Sequence, residues 1–260
     1  RHIEVQIMGD GSGAVSHMWE RECSVQRRHQ KVLEIAPCPD IGESLRGDLL
    51  EAALRLGEAA GYRGLGTVEF LLDEAGSRFA FIEANARLQV EHTVTEEVTG
   101  VDLVCAQLQI AGGRTLAELG LTRDGVPRPR GFAIQTRINM ETLQEDGSTR
   151  PAGGMLTAFD VPTGPGLRTD TYGYVGYTSS PAFDSLLAKV IVHSQSDNFS
   201  HAVRKCANAL AETQIEGIPT NLQMLRRLLA MPAVAANELH TQFLDENVAQ
   251  LVEHVGDSLG

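Results

Sequence analysis

GTVEFLLDEAGSRFAFIEANARLQVEH, Gly66 to His92, contains two apolar runs, each interrupted by a single carboxylate, on either side of the short connection DEAGS. GTVEFLL and RFAFIEAN read as the two strands of a hairpin, with Glu69 in one and Glu83 in the other. In the second half of the stretch Glu83, Asn85, Arg87, Gln89 and Glu91 fall on every second position, with Ala84, Ala86, Leu88 and Val90 between them. Side chains two apart on an extended chain share a face. The expectation is a single polar row along one strand, anchored on its other side by the small apolar residues.

The row's order suggests chemistry. Strands of one hairpin lie about 4.8 Å apart, so Glu69 and Glu83 can face the same space, where like charges are unfavourable without a cation. A magnesium ion held by one or two carboxylates and by nucleotide phosphates would remove that repulsion, and Asn85 can add a neutral oxygen. The same acids can also pair with lysines or point into water. Further along, Arg87 can hold a small oxyanion bidentately while Glu91 accepts a proton. Taken alone, an exposed strand with Arg87 paired to Glu83 or Glu91 fits as well.

Outward from this stretch, HIEVQIM and AVSHMWERE alternate around the turn residues GDGSG, which predicts a hairpin. GDGSG has no Lys-Ser/Thr, so it does not read as a phosphate loop. QRRHQK, Gln26 to Lys31, is a cationic patch that suits either phosphate or solvent, and VLEIAPCP follows as an extended segment stopped by prolines. Ser44 is placed to cap a helix whose Leu45, Leu49, Ala52, Leu56 and Ala60 keep the helical period, ending near Gly61. VTEEVTGVDLVCAQLQIAGG reads as a helical region closing at Gly112 and Gly113. The turn-rich segment 114–130 is expected as a linker between a first domain, 1–113, and a second, 131–260. In the second, GFAIQTRIN and SLLAKVIVHS read as strands, GMLTAFDVPTGPGLRTDTYGY as short strands with glycine turns, and HAVRKCANALAETQ and NLQMLRRLLA as helices. The overall class is α+β and mostly antiparallel.

The chain has 260 residues, 42% of them apolar and 22% charged, the balance of a globular protein. Its net charge of −12 argues against a nucleic-acid binder, and no apolar run approaches the length of a membrane span. Cys23, Cys38, Cys105 and Cys206 are scattered, without zinc-site spacing, which suits a reducing cytoplasm or a mitochondrial matrix. His17, His92 and His240 show no ligand spacing. RHIEVQ is patterned as a strand from the start and no initiator methionine precedes it. The expectation is therefore a piece of a longer chain, without a signal peptide.

In order along the chain, RHIEVQ, ECSVQRRHQKVLEIAP, GYRGLGTVEFL, FIEANARLQVEHTVTEEVTGVDLV, GFAIQTRIN, FDSLLAKVIV and EGIPTN resemble the biotin carboxylase family, the ATP-grasp component of acyl-CoA and pyruvate carboxylases. The resemblance implies the second half of an ATP-grasp domain, an antiparallel sheet with helices, followed by the family's C-terminal α/β domain. It implies ATP- and bicarbonate-dependent carboxylation of biotin on a carrier domain through carboxyphosphate, within an acyl-CoA carboxylase. The alternatives are the same domain of a pyruvate carboxylase, or a non-catalytic dimerisation module, since GPGLRTD (Gly164–Asp170) resembles a segment near the family's dimer contact. By the same resemblance Glu69, Glu83 and Asn85 hold magnesium or manganese; Lys31, Arg87, Gln89, the Val90 backbone and Glu91 surround bicarbonate; and Glu91 is the base. Arg137 steadies biotin, and His2, Gln26, His29 and Leu71, with Glu69 and Glu83, serve the nucleotide. Implied partners are a biotin carboxyl carrier domain, a carboxyltransferase and a homodimer or larger assembly, with no nucleic acid or membrane. The family's N-terminal domain and glycine-rich lid have no counterpart here, so this piece alone is expected to be inactive. Two departures stand out: Ala84 and Ala86 replace the family's Met and Thr, and METLQEDGST follows Asn139 in place of the usual Ala-Glu-Asp-Pro.

Overall fold

The computed structural model describes residues 1–73, 76–144 and 146–252. They form two compact units: unit 1 comprises Arg1–Ser24, Glu34–Ala133 and Gln195–Asp197, and unit 2 comprises Val25–Leu33, Ile134–Ser194 and the residues from Asn198 onward. Glu74 and Ala75 of the expected DEAGS turn, and Glu145 of METLQEDGST, lie outside the described residues. Among the described residues no helix is long and apolar enough to cross a membrane.

The first elements in chain order are β1 (His2–Asp10), β2 (Val15–Arg27), β3 (Gln30–Ala36), α1 (Glu43–Ala59), β4 (Arg63–Leu72), β5 (Phe79–Asn85), α2 (His92–Thr99) and α3 (Leu103–Ala111). In unit 1, β1 lies between β2 and β4, and β5 pairs with the far side of β4, each pairing antiparallel. GDGSG is the hairpin turn expected of it, with Gly11 at φ 81° and Gly13 at φ 101°. The strands alternate cleanly. Ile3, Val5 and Ile7 on β1 join Val68, Phe70 and Leu72 on β4 in a core that α1 covers. Glu4 and Gln6 on β1, with Thr67 and Glu69 on β4, are the alternating residues of the other face, and all are buried.

Helix α1 differs from expectation by a rotation. Gly42 is its N-cap, without a side-chain cap bond, and the buried face is Leu49, Leu50, Ala53, Leu54 and Gly57. Leu56 is 40% exposed. Two overlapping stripes fit the helical period, and Gly57 selects between them: a Cβ there would come within 2.9 Å of Val15 Cγ1. The expected single helical region after Val94 is two helices. Gly100 ends α2 in the left-handed conformation (φ 73°), and the Asp102 carboxylate then accepts from Cys105 N (2.7 Å) to cap α3. Within 114–130, Leu116 and Leu121 enter a second core with Met8, Met18, Leu65 and α3.

The remaining strands and helices lie in unit 2, except that the first two residues of β6, Phe132 and Ala133, fall in unit 1. They are β6 (Phe132–Asn139), β7 (Glu141–Leu143), β8 (Thr149–Pro151), β9 (Gly154–Met155), β10 (Ala158–Asp160), β11 (Leu167–Thr171), β12 (Thr178–Ser179), β13 (Leu186–Ser194), α4 (Phe199–Glu212), β14 (Gln214–Glu216), α5 (Leu222–Ala230) and three short helices, Pro232–Ala235, Phe243–Glu246 and Val248–Leu251. Strand β13 lies between β11 and β6, and α4 packs on β13. Around the departure METLQEDGST, Glu141–Leu143 pair with Thr149–Pro151 as the β7–β8 ladder. The EGIPTN motif has a structural role: the Asn221 amide donates to Arg137 O (3.0 Å) and its oxygen accepts from Asn139 N (2.9 Å).

Replacing Leu49 with Ala is expected to cost about 2–5 kcal/mol in chemical denaturation, while Leu56→Ala costs about 0.5 kcal/mol or less; equal losses would contradict the observed face of α1. A second expectation concerns pH. The ring of His17 packs edge-on against Trp19 and its Nδ1 accepts from Trp19 N (3.2 Å). Burial, then the charge of Arg123, lowers its pKa from an ordinary 6.5 to about 4. The unfolded chain therefore binds this proton before the folded one does, and stability contributed above about pH 6.5 is lost as pH falls toward 4. His17→Gln should flatten the fall in urea midpoint across that window; an unchanged slope would refute it.

Candidate functional site

The register of unit 1 sets a charged row across the sheet. Arg21 on β2 stands opposite Glu4 on β1, Glu4 opposite Glu69 on β4, and Glu69 opposite Glu83 on β5. Residues directly opposite share a face, so one base and three acids run side by side over four strands. Beside them Gln6, Thr67 and Asn85 make a neutral polar row. Burial falls along the charged row: Arg21 and Glu4 are 0% exposed, Glu69 5%, and Glu83 lies at the surface.

Glu69 is the hub. His2 Nε2 lies 2.7 Å from its Oε2, and the side-chain amides of Asn85 and Gln89 each donate to its Oε1 at 2.9 Å. The Asn85 amide also donates to Glu83 Oε1 at 2.9 Å, so one NH₂ group bridges two carboxylates. A neutral amide holds the two acids together without cancelling either charge, so a cation beside the pair would relieve their mutual repulsion. A divalent ion fits this donor set: two carboxylates on adjacent strands, with an amide that presents oxygen once it turns over. Glu69, Glu83 and Asn85 would hold it. His2, Glu4 and Glu69 also bring three ligand atoms within 4.8 Å of one another.

The polar row expected along Phe81–His92 is corrected by the structure. Strand β5 ends at Asn85, and residues 86–91 turn toward α2, with Gln89 O accepting from His92 N (3.2 Å). Gln89 and Glu91 are buried at 6% and 2%, whereas Ala84 and Ala86, expected to anchor the hidden side, are exposed. The reason is that the start of α2, EHTVTEEVT, takes over where the alternation still runs on. Arg87 stays beside the metal end, with a terminal nitrogen 3.5 Å from Asn85 Oδ1. Val90 is half-buried in the turn. Glu91 reaches inward at the N-terminus of α2, where its carboxylate, the Glu4 carboxylate and the Cys23 thiol lie within 4.8 Å of one another. Leu71 is 45% exposed. Glu4 and Arg21 did not enter the expected site; an acid and a base facing inward from strands with buried neighbours were the available signal.

Gln26, His29, Lys31 and Arg137 belong to unit 2. β2 gives way to β3 through Arg28 and His29 alone, both left-handed at φ 46° and 68°. Two consecutive non-glycine residues there store backbone strain of about 1–3 kcal/mol each. They present His29 to solvent, while Gln26 is buried and Lys31 half-buried. Arg27 is committed locally, 3.5 Å from Glu141 and donating to Gln30 Oε1 at 2.9 Å. Arg137 is half-buried on β6.

Residues 1–119 match the family "Carbamoyl-phosphate synthase L chain, ATP binding domain", and residues 135–246 match "Biotin carboxylase C-terminal domain". The chain is 46% identical over 248 residues to human mitochondrial pyruvate carboxylase, covering 95% of this chain and 20% of that protein. It superimposes on the biotin carboxylase domain of a single-chain bacterial carboxylase with a TM-score of 0.88 at 49% identity, covering 96% of this chain and 56% of that one.

The chain belongs to the biotin carboxylase family. A single-chain, multi-domain long-chain acyl-CoA carboxylase gives a TM-score of 0.91 at 47% identity, over 96% of this chain and 27% of that one. The biotin carboxylase domain of Hydrogenobacter thermophilus 2-oxoglutarate carboxylase, a dimer in complex with MgADP and bicarbonate, gives 0.89 at 35%, over 97% and 54%. The chain thus spans about a fifth of the length of the curated relatives it matches. It comprises the second part of the biotin carboxylase ATP-grasp domain and the C-terminal domain.

Asn85→Asp would set a third carboxylate against Glu69 and Glu83. The expected result is a lower metal-free melting temperature and a larger rise on adding Mn²⁺ than the unaltered protein shows. A Mn²⁺ response no larger than that of the unaltered protein would count against a cation site here.

Proposed function

We propose that this chain is part of a biotin carboxylase that uses ATP and bicarbonate to carboxylate biotin on a carrier domain by way of carboxyphosphate. The observation that carries the proposal is the Glu69–Glu83 pair, two acids on adjacent strands bridged by the amide of Asn85, in a member of this family. The Hydrogenobacter homologue, bound to MgADP and bicarbonate, supports the choice of ligands.

His2, Leu71, Gln26 and His29 are assigned to the nucleotide. Magnesium or manganese held by Glu69, Glu83 and Asn85 would neutralise phosphate charge. Arg87, the Gln89 amide and the Val90 backbone orient bicarbonate, and Lys31 adds positive charge. Glu91 removes the bicarbonate proton, so that a bicarbonate oxygen bonds to the γ-phosphorus as the bond from that phosphorus to ADP breaks. Carboxyphosphate then releases carbon dioxide and phosphate. Arg137 steadies the ureido oxygen of biotin while N1 gives its proton to the released phosphate and bonds to carbon dioxide.

The partners are a biotin carboxyl carrier domain and a carboxyltransferase, in a homodimer or larger assembly. An acyl-CoA carboxylase is the preferred setting, supported by the likeness to the long-chain acyl-CoA enzyme. The human relative favours pyruvate carboxylase as the second reading. Four free cysteines, three of them buried, support a reducing compartment, the cytoplasm or the mitochondrial matrix.

Glu91→Gln, made in the longer carboxylase that carries this chain, should lower bicarbonate-dependent ATP hydrolysis by about 10²–10⁴-fold while nucleotide binding persists. Undiminished hydrolysis would remove Glu91 as the base.

A further inference from the structure

The carboxylation scheme gives tasks to Glu69, Glu83 and Glu91, and none to Arg21 at the buried end of the charged row. Arg21 is 0% exposed. Its Nε donates to Glu4 Oε1 at 2.5 Å, one terminal nitrogen donates to Gln6 Oε1 (2.9 Å) and Thr95 Oγ1 (3.1 Å), and the other to Thr67 Oγ1 (3.4 Å). Thr95 lies one turn along α2 from Glu91, so the guanidinium grips the helix at whose N-terminus Glu91 sits. Carboxylate oxygens of Glu4 and Glu91 and the Cys23 thiol are within 4.8 Å of one another. Burial works against the charge on Arg21; the fields of Glu4, then Glu91, then Cys23 oppose that effect, and its pKa is raised. Gln6, Thr67 and Thr95, its other contacts from β1, β4 and α2, are neutral.

We propose that Arg21 is a positioning residue for Glu91, fixing α2 through Thr95 and anchoring that helix to Glu4 on β1 so that Glu91 is held where it meets bicarbonate. The proposal rests on Glu91 being the base. Arg21 itself touches neither nucleotide nor bicarbonate in this scheme.

The test compares Arg21→Met/Glu4→Gln with the unaltered full-length carboxylase in bicarbonate-dependent ATP hydrolysis. Arg21→Met alone strands two buried acids and is expected to fold poorly; the added Glu4→Gln removes one of them. The double variant should keep its KM for ATP within about twofold while kcat falls about 10- to 100-fold, a part of what a general base contributes. Unchanged kcat, or kcat and the KM for ATP worsening together, would overturn the proposal and leave Arg21 a structural ion pair. Should the double variant not fold, Arg21→Lys keeps the charge and loses the fork. It is expected to show the same split, and a kcat equal to that of the unaltered enzyme would overturn the proposal. Absence of bicarbonate-dependent hydrolysis in the unaltered enzyme is a separate result: it removes the base assignment and this inference together.

Discussion

The antiparallel register that lines up Arg21, Glu4, Glu69 and Glu83 is the constraint on which the site depends. Three acids on adjacent strands repel one another, and each end of the row answers that differently. At the buried end a fully enclosed guanidinium lies 2.5 Å from Glu4. At the exposed end Glu69 and Glu83 share the neutral amide donor of Asn85. Removing one partner from a buried ion pair costs about 3–5 kcal/mol, so the inner end is fixed and the outer end is left able to take a cation. The opposite face of the same strands is apolar and covered by α1. That packing holds the register: a slip by one residue would exchange the apolar core for the charged row.

The turn after Asn85 adds the second requirement of the proposed reaction. Had the strand continued, Arg87, Gln89 and Glu91 would have stayed in line with Glu83 and Asn85 along the exposed edge strand. Instead the chain folds back, Gln89 donates to Glu69, and Glu91 comes to rest near Glu4 at the start of α2. The carboxylates proposed to hold a metal and to accept a proton are thereby drawn from one short stretch yet kept in different surroundings, Glu83 at the surface and Glu91 2% exposed. Environment divides the roles of chemically identical groups.

What the sequence revealed followed the range of the interaction. The β1–β2 hairpin was readable because GDGSG acts on its nearest neighbours, and Glu69 facing Glu83 followed from pairing β4 with β5. The stripe on α1 was misplaced by one position because a second stripe of leucines and alanines fits the same period; only Gly57, set against Val15, discriminates. The row through Glu4 and Arg21 was not readable, since its register joins residues 65 apart in sequence, Glu4 and Glu69, and alternation within a strand does not specify which rung meets which. The row imagined along Phe81–His92 was real as spacing, but its last three polar residues obey the turn and the helix that follow. The roles of Lys31 and Arg137 came from family resemblance alone, because nothing local in QRRHQK or QTRIN distinguishes a ligand-binding cation from a paired one.

The carboxylate pair at the outer end of the row can be examined directly by anomalous diffraction at the manganese edge from crystals grown with Mn²⁺ and ADP. The predicted result is an anomalous peak coordinated by Glu69 and Glu83, with the Asn85 amide turned so that its oxygen faces the ion. Density showing both carboxylates still bridged by the Asn85 nitrogen, with manganese elsewhere or absent, would contradict the proposed site.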